Sequence, residues 1–112
     1  YTVSVNANAV LGIDELQVPD VYALHQNYPN PFNPTTTLKY DLPENTVVTL
    51  TIYDIMGREI ISLVKNSYRE AGYHRVIWNG LDSNGKQLGS GMYFYMIRTS
   101  SFTKTKKMIM LK

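Results

Sequence analysis

Apolar and polar residues alternate with a period of two along most of this chain, and Gly, Pro, Asn and Asp interrupt the alternation. A period of two places successive side chains on opposite faces of a β-strand, whereas an amphipathic helix needs a period near 3.6. No stretch of the sequence has a convincing helical period. Because a parallel α/β sheet requires crossover helices, the pattern excludes that class and indicates an all-β domain.

The alternating segments predict about seven short strands, with an additional strand at the N-terminus. In chain order the predicted segments cover residues 2–10, 24–34, 35–42, 47–54, 59–64, 73–79, 92–98 and 103–111. Residues 66–72 are expected to form a polar connection. Strands of this length, separated by turn signals about every ten residues, indicate an immunoglobulin-like β-sandwich.

Three of the five prolines lie within residues 24–34. Proline cannot donate to a strand ladder, so this segment is predicted as a rigid edge segment that hooks into the domain through Tyr28 and Phe32. Trp78 is the predicted anchor of the core, and Gly57 is expected to supply a positive φ in the turn at residues 55–58.

The last predicted strand is apolar on both faces. Met108 and Met110 alternate there with Ile109 and Leu111. A strand of this kind is either buried on both sides or available to a partner.

Composition excludes several classes of function. The net charge of +2 is too small to argue for nucleic acid, and no apolar run is long enough for a transmembrane segment. The absence of cysteine excludes disulfides, thiol catalysis and cysteine-based zinc sites. The chain starts at Tyr1 without a signal-peptide pattern, so a mature or trimmed product is expected.

No set of residues predicts catalysis or a cofactor. The two histidines, His25 and His74, have no carboxylate or serine at motif spacing, so no enzyme is expected. Asp82 and Asn84 resemble the opening of a calcium loop, but a lysine and a tyrosine stand where later ligands would be needed. These two residues are therefore weak metal candidates, and a hairpin turn is favoured.

Five motifs resemble the C-terminal sorting domain, type A, of proteins exported by the type IX secretion system. They are YPNPFNP (28–34), YDIMGREI (53–60), WNGLDSNGK (78–86), SGMYFYMI (90–97) and KKMIMLK (106–112). The middle of the chain also resembles the immunoglobulin-like domain of flagellar hook-capping proteins. The resemblance begins near Leu24, so residues 24–112 are the predicted sorting domain and residues 1–23 a strand and connector outside it.

The resemblance implies a non-catalytic domain that directs an extracellular bacterial protein through the secretion machinery to the cell surface. The family's Gly-x-Tyr motif corresponds to Gly91 and Tyr93, and its basic terminal strand carries Lys106, Lys107 and Lys112. These residues are the expected recognition surface. A structural role is expected for Tyr28, Pro29, Asn30, Pro31, Phe32 and Asn33.

Two other functions stay open. The first is a self-assembling extracellular structural subunit, a filament or surface layer, in which residues 1–10 complete a neighbour's sheet by strand exchange. The second is a carbohydrate-binding accessory module, in which tyrosines form a platform for sugars.

Overall fold

The computed structural model describes residues 17–112, so the strand predicted at residues 2–10 lies outside the described part. Residues 17–112 form seven strands in two antiparallel sheets and contain no helix, which confirms the all-β sandwich. The strands are β1 Ala23–Leu24, β2 Thr36–Leu42, β3 Thr46–Tyr53, β4 Glu59–Arg69, β5 Gly72–Trp78, β6 Gly91–Arg98 and β7 Thr103–Met110.

The two sheets differ in size. One has three strands in the order β1-β2-β5, and the other has four in the order β4-β3-β6-β7. Within residues 17–112 no helix is long and apolar enough to cross a membrane.

The core lies between the inner faces of the two sheets. The alternation predicted for β3 is confirmed, because Val48, Leu50 and Ile52 are all fully buried. Trp78, at the end of β5, is also buried, and its indole N–H donates to the carbonyl of Leu81 at 2.9 Å. That bond satisfies the one polar group that a buried tryptophan brings into a core.

Strand β4 is longer than the sequence predicts. Residues 66–69 were expected in a polar connection, but they continue β4, with Val47 opposite Tyr68 and Thr46 opposite Arg69. Asn66 sits among register shifts in this pairing and has a φ of 44°. An edge strand has a neighbouring strand on one side only, so polar residues can continue it beside the solvent. The polar composition of residues 66–69 therefore did not reveal that they belong to β4.

Candidate recognition surface

Strand β7 forms one edge of the four-stranded sheet and pairs with β6 along its whole length. Met108 and Met110 point into the core and are fully buried, whereas Ile109 and Leu111 are 39% and 52% exposed. The strand is therefore buried on one face only. Its other face presents apolar side chains to solvent.

The proline segment, residues 26–34, covers the C-terminal half of the outer edge of β7. Phe32 donates its N–H to the carbonyl of Ile109 at 3.0 Å, and its own carbonyl accepts from the N–H of Leu111 at 2.8 Å. The side-chain oxygen of Asn30 accepts from the N–H of Ile109 at 3.0 Å, and the Gln26 amide donates to the carbonyl of Lys107 at 2.9 Å. These bonds fix the terminal strand in position.

The N-terminal half of the same edge contacts β1 but forms no backbone hydrogen bonds with it. Backbone groups of alternate residues in a strand point the same way, so Thr103 and Thr105 are directed outward like Lys107 and Ile109. Among residues 17–112, the backbone groups of Thr103 and Thr105 have no partner on that side. We call this stretch, residues 103–106, the open edge.

The structure separates the predicted recognition residues. Gly91 lies opposite Met110, so it is at the same end of the sandwich as exposed Lys112. Lys106 and Lys107 lie midway along β7, and Lys107 is exposed. Tyr93 is not at the surface.

Tyr93 is buried beneath the surface at this end of the sandwich. Its ring packs edge-on against Trp78, with centroids 5.6 Å apart, and its hydroxyl donates to the carbonyl of Gly89 at 2.7 Å. Burial, with the nearby Asp54 carboxylate, raises the pKa of the Tyr93 hydroxyl. The Gly-x-Tyr motif therefore holds the loop before β6 rather than offering its aromatic ring to a partner.

Only one of the two aromatic residues expected to hook into the core does so. Phe32 is 2% exposed, and its ring centroid lies 5.7 Å from that of Trp78. Tyr28 is instead 79% exposed. It pairs with Thr37, whose side chain faces away from the core, and this pairing carries the Tyr28 ring to the outer surface of the three-stranded sheet.

The rest of the YPNPFNP motif lies at the surface. Pro29, Pro31 and Asn33 are exposed, and the peptide bonds preceding Pro29, Pro31 and Pro34 are cis. The carbonyl of Pro29 accepts from the hydroxyl of Thr36 at 2.8 Å. This bond ties the segment to the first residue of β2.

Two residues that the sequence did not single out connect the proline segment to the core. Asn27 is 2% exposed, and its side-chain amide donates to the hydroxyl of Thr36 at 3.0 Å. Its backbone N–H donates to the hydroxyl of buried Tyr95 at 2.9 Å, and that hydroxyl donates to the carbonyl of His25 at 2.6 Å. Burial raises the pKa of Tyr95 to about 12. An asparagine directly before YPNPFNP was the only available signal.

Two turns, one directly after β3 and one in the connection between β5 and β6, have the same construction. In the first, the Asp54 carboxylate accepts from the backbone N–H groups of Met56 and Arg58, each at 2.9 Å. The N–H of Gly57 donates to the Asp54 carbonyl at 3.0 Å, and Gly57 has a φ of 82°. The backbone hydrogen bond from Arg58 is the main reason that the pKa of Asp54 is lowered.

The second turn holds the weak metal candidates. One oxygen of the Asp82 carboxylate accepts from the backbone N–H groups of Asn84 and Lys86, each at 2.9 Å, and Gly85 has a φ of 80°. Leu81 and Gln87 bridge on either side of it, as a hairpin turn requires. Within residues 17–112 no three His, Cys, Asp or Glu side chains cluster in a way that could hold a metal ion.

Alanine at either turn glycine is expected to destabilise the domain. An added Cβ at Gly57 or Gly85 would meet no atom within 4 Å, so the cost is the left-handed backbone alone, about 1–2 kcal/mol each. Gly89→Ala is the matched control, because that loop glycine also has open space and no positive φ. Urea unfolding measures all three variants, and an equal loss for Gly89→Ala would contradict the assignment.

The described residues belong to the class of two-sheet β-sandwiches. In this sandwich the proline segment covers part of the terminal strand. Similar folds occur in dimeric latent PorU from Porphyromonas gingivalis (TM-score 0.60, 21% identity) and in PorZ, a type-IX secretion system surface component of the same species (TM-score 0.53, 20% identity). The alignments cover 77% and 83% of this chain but only 9% and 12% of those two chains. FlgD from P. aeruginosa is similar as well, with a TM-score of 0.53 and 26% identity over 67% of this chain and 58% of that one.

Residues 26–111 match the family model of the secretion system C-terminal sorting domain. The chain therefore belongs to that family, as the five motifs indicated. Domains of this family mark proteins for secretion to the cell surface or the extracellular space. No curated protein matches the chain.

Proposed function

We propose that residues 24–112 form a non-catalytic sorting domain that takes an attached protein through the type IX secretion machinery to the bacterial surface. Membership of the sorting-domain family supports the role in secretion. The observation that supports a mechanism is the divided edge of β7. Its C-terminal half is held by the proline segment, and the outward backbone groups of its N-terminal half have no hydrogen-bond partner among residues 17–112.

Such an edge suits recognition by strand addition. A receptor strand can hydrogen-bond to the outward backbone groups of the open edge, which gives affinity without requiring a deep pocket. Lys104 lies within the open edge and Lys107 directly follows it; both are exposed and would attract a receptor with acidic side chains. The proline segment keeps β7 from fraying, so that the receptor meets a preformed strand.

The non-catalytic part of the proposal is supported by the two histidines. The imidazole Nε2 of His25 lies 2.8 Å from the Asp41 carboxylate, and the Nε2 of His74 lies 2.7 Å from the carbonyl of Glu70. No serine or threonine hydroxyl forms a hydrogen bond with either ring among the described residues. Neither ring therefore has a nucleophile to activate.

A reporter fusion tests the function. Residues 24–112 attached to an inert protein should direct it out of a type IX-competent cell. Reversing two charges, Lys104→Glu with Lys107→Glu, should lower export about tenfold, because like charges facing a receptor cost a kcal/mol or more. Lys65→Glu with Lys86→Glu changes the net charge equally at exposed positions outside the open edge and should export normally.

A reporter that stays in the periplasm with its sorting domain folded would overturn the proposal. Equal losses from the two charge-reversed variants would overturn the role of the open edge. The alternative of strand exchange depends on residues 1–10, outside the described residues, and stays a prediction. The domain boundary at residue 24 also stays a prediction. Tyr22 lies before that boundary, yet its ring stacks on Phe102, with ring centroids 5.2 Å apart.

A further inference from the structure

The outer face of the three-stranded sheet carries three basic side chains in one row across its strands. Lys39 of β2 lies directly opposite Arg75 of β5, and the N–H of His25 donates to the carbonyl of Lys39 at 2.9 Å on the other side. All three residues are exposed, while the flanking Leu38 and Tyr40 point into the core. We call these three residues the basic row.

This arrangement is unfavourable in the isolated domain. Like charges directly opposite each other on neighbouring strands repel. The acidic residue on this face, Asp41, is hydrogen-bonded to the His25 ring at 2.8 Å and forms no ion pair with Lys39 or Arg75. Lys39 and Arg75 form no ion pair with any of residues 17–112. An anion placed between them would relieve the repulsion.

Exposed rings lie on both sides of the basic row. Tyr73, opposite Asp41, is 65% exposed. On the other side, Tyr28 and Ile77 both pair with Thr37, and Ile77 is 62% exposed. Neighbouring rows in a sheet are about 7 Å apart, since each is two residues along the strand. The face thus presents in succession a row with Tyr73 and Asp41, the basic row, and a row with Tyr28 and Ile77.

An open groove of about 610 Å³ lies over the part of this face that includes the basic row and Tyr73. Its lining is polar and aromatic: His25, Lys39, Asp41, Tyr73, His74 and Arg75. An open groove of this kind suits a chain that lies along the sheet.

We propose that this face binds an anionic polysaccharide. Its carboxylate, sulfate or phosphate groups contact Lys39 and Arg75, and its sugar rings lie on the tyrosines. The Arg75 guanidinium offers a planar fork of donors that fits such groups, and tyrosine combines a flat apolar ring with a hydroxyl. The site is on the sheet opposite β7 and is independent of the sorting mechanism.

Two other classes of partner fit less well. A protein interface usually has an apolar centre with charges at its rim, whereas here the charges are central and the apolar groups flank them. A nucleic acid would need many phosphate contacts, and the whole chain has a net charge of only +2.

Calorimetry with dextran sulfate, an alginate oligosaccharide and uncharged dextran tests the proposal. The two anionic polymers should bind and the neutral one should not. Lys39→Gln with Arg75→Gln should weaken binding by about tenfold or more. The reason is that a single hydrogen bond between charged groups commonly changes an affinity by about that factor. Lys65→Gln with Lys86→Gln removes the same charge elsewhere and should bind like the unaltered protein.

A further variant separates binding from folding. Arg75→Glu places an acidic side chain opposite Lys39, so it should keep or raise the melting temperature while it abolishes binding. Equal losses in the two Gln double variants would show nonspecific charge attraction and overturn the proposal. Tighter binding of duplex DNA or of an acidic peptide than of either polysaccharide would overturn it too. Reporter export should be unaffected by Arg75→Glu, so this site and the sorting function can fail separately.

Discussion

Replacing Phe32 with alanine is expected to destabilise the domain by about 3–5 kcal/mol. The ring is 2% exposed and packs on Trp78, so its removal leaves a cavity in the core. The same residue bonds to Ile109 and Leu111 through its backbone. Loss of the ring should therefore also weaken the hydrogen bonds between the proline segment and the C-terminal half of β7. Faster hydrogen exchange of the backbone N–H groups of Ile109 and Leu111 would detect this change.

Tyr28→Ala is the matched control in the same motif. It removes an aromatic ring four residues earlier, but that ring is 79% exposed, so the expected change lies within about 0.5 kcal/mol. Urea unfolding of both variants gives the comparison. Similar losses for the two would mean that Tyr28 packs into the domain after all.

The contrast between these two rings shows what the sequence alone does not predict. Both are aromatic and both neighbour a proline, so the motif itself does not distinguish them. Their positions are decided by different partners, because Tyr28 pairs with nearby Thr37 whereas Phe32 pairs with Met110 near the other end of the chain. Pairings of this kind depend on how the sheets assemble, and one sequence does not reveal them.

Other parts of the fold follow directly from local patterns. The alternation of apolar and polar residues predicted which side chains of β2 and β3 point into the core, because a strand with one buried face has an apolar side chain at every second residue. The twin turns were also readable, since Asp-x-x-Gly is followed by a basic residue at both Arg58 and Lys86. The strand pairing that forms the basic row was not readable, because Lys39 and Arg75 are separated by two strands of the other sheet.

The hidden polar contacts were the hardest to foresee. Hydrophobic patterning detects apolar residues in a core, but Asn27 is a polar residue buried in a segment without alternation. Its burial is tolerable because its N–H and side-chain amide are both bonded. The Tyr95 hydroxyl is one of those partners, and it joins β6 to the segment that covers β7.

Removing that hydroxyl, in Tyr95→Phe, is expected to cost about 1–3 kcal/mol, since the buried N–H of Asn27 is left without an acceptor. The carbonyl of His25 also loses its donor. Tyr73→Phe removes a hydroxyl from an exposed ring and should be neutral. Urea unfolding near pH 7 compares the two, and a neutral Tyr95→Phe would show that water replaces the hydroxyl without cost.

The same variant should change the response of the domain to alkali. Burial raises the pKa of Tyr95 to about 12 from the ordinary value of 10.0, so the folded state holds this proton more tightly than the unfolded state does. Its contribution to stability is fully present below pH 10 and is lost as the pH rises from 10 to about 12. Burial also raises the pKa of Tyr40, which both proteins share, so the comparison isolates Tyr95. The stability gap between the unaltered protein and Tyr95→Phe should therefore narrow over that interval, and a constant gap would contradict the role assigned to the buried hydroxyl.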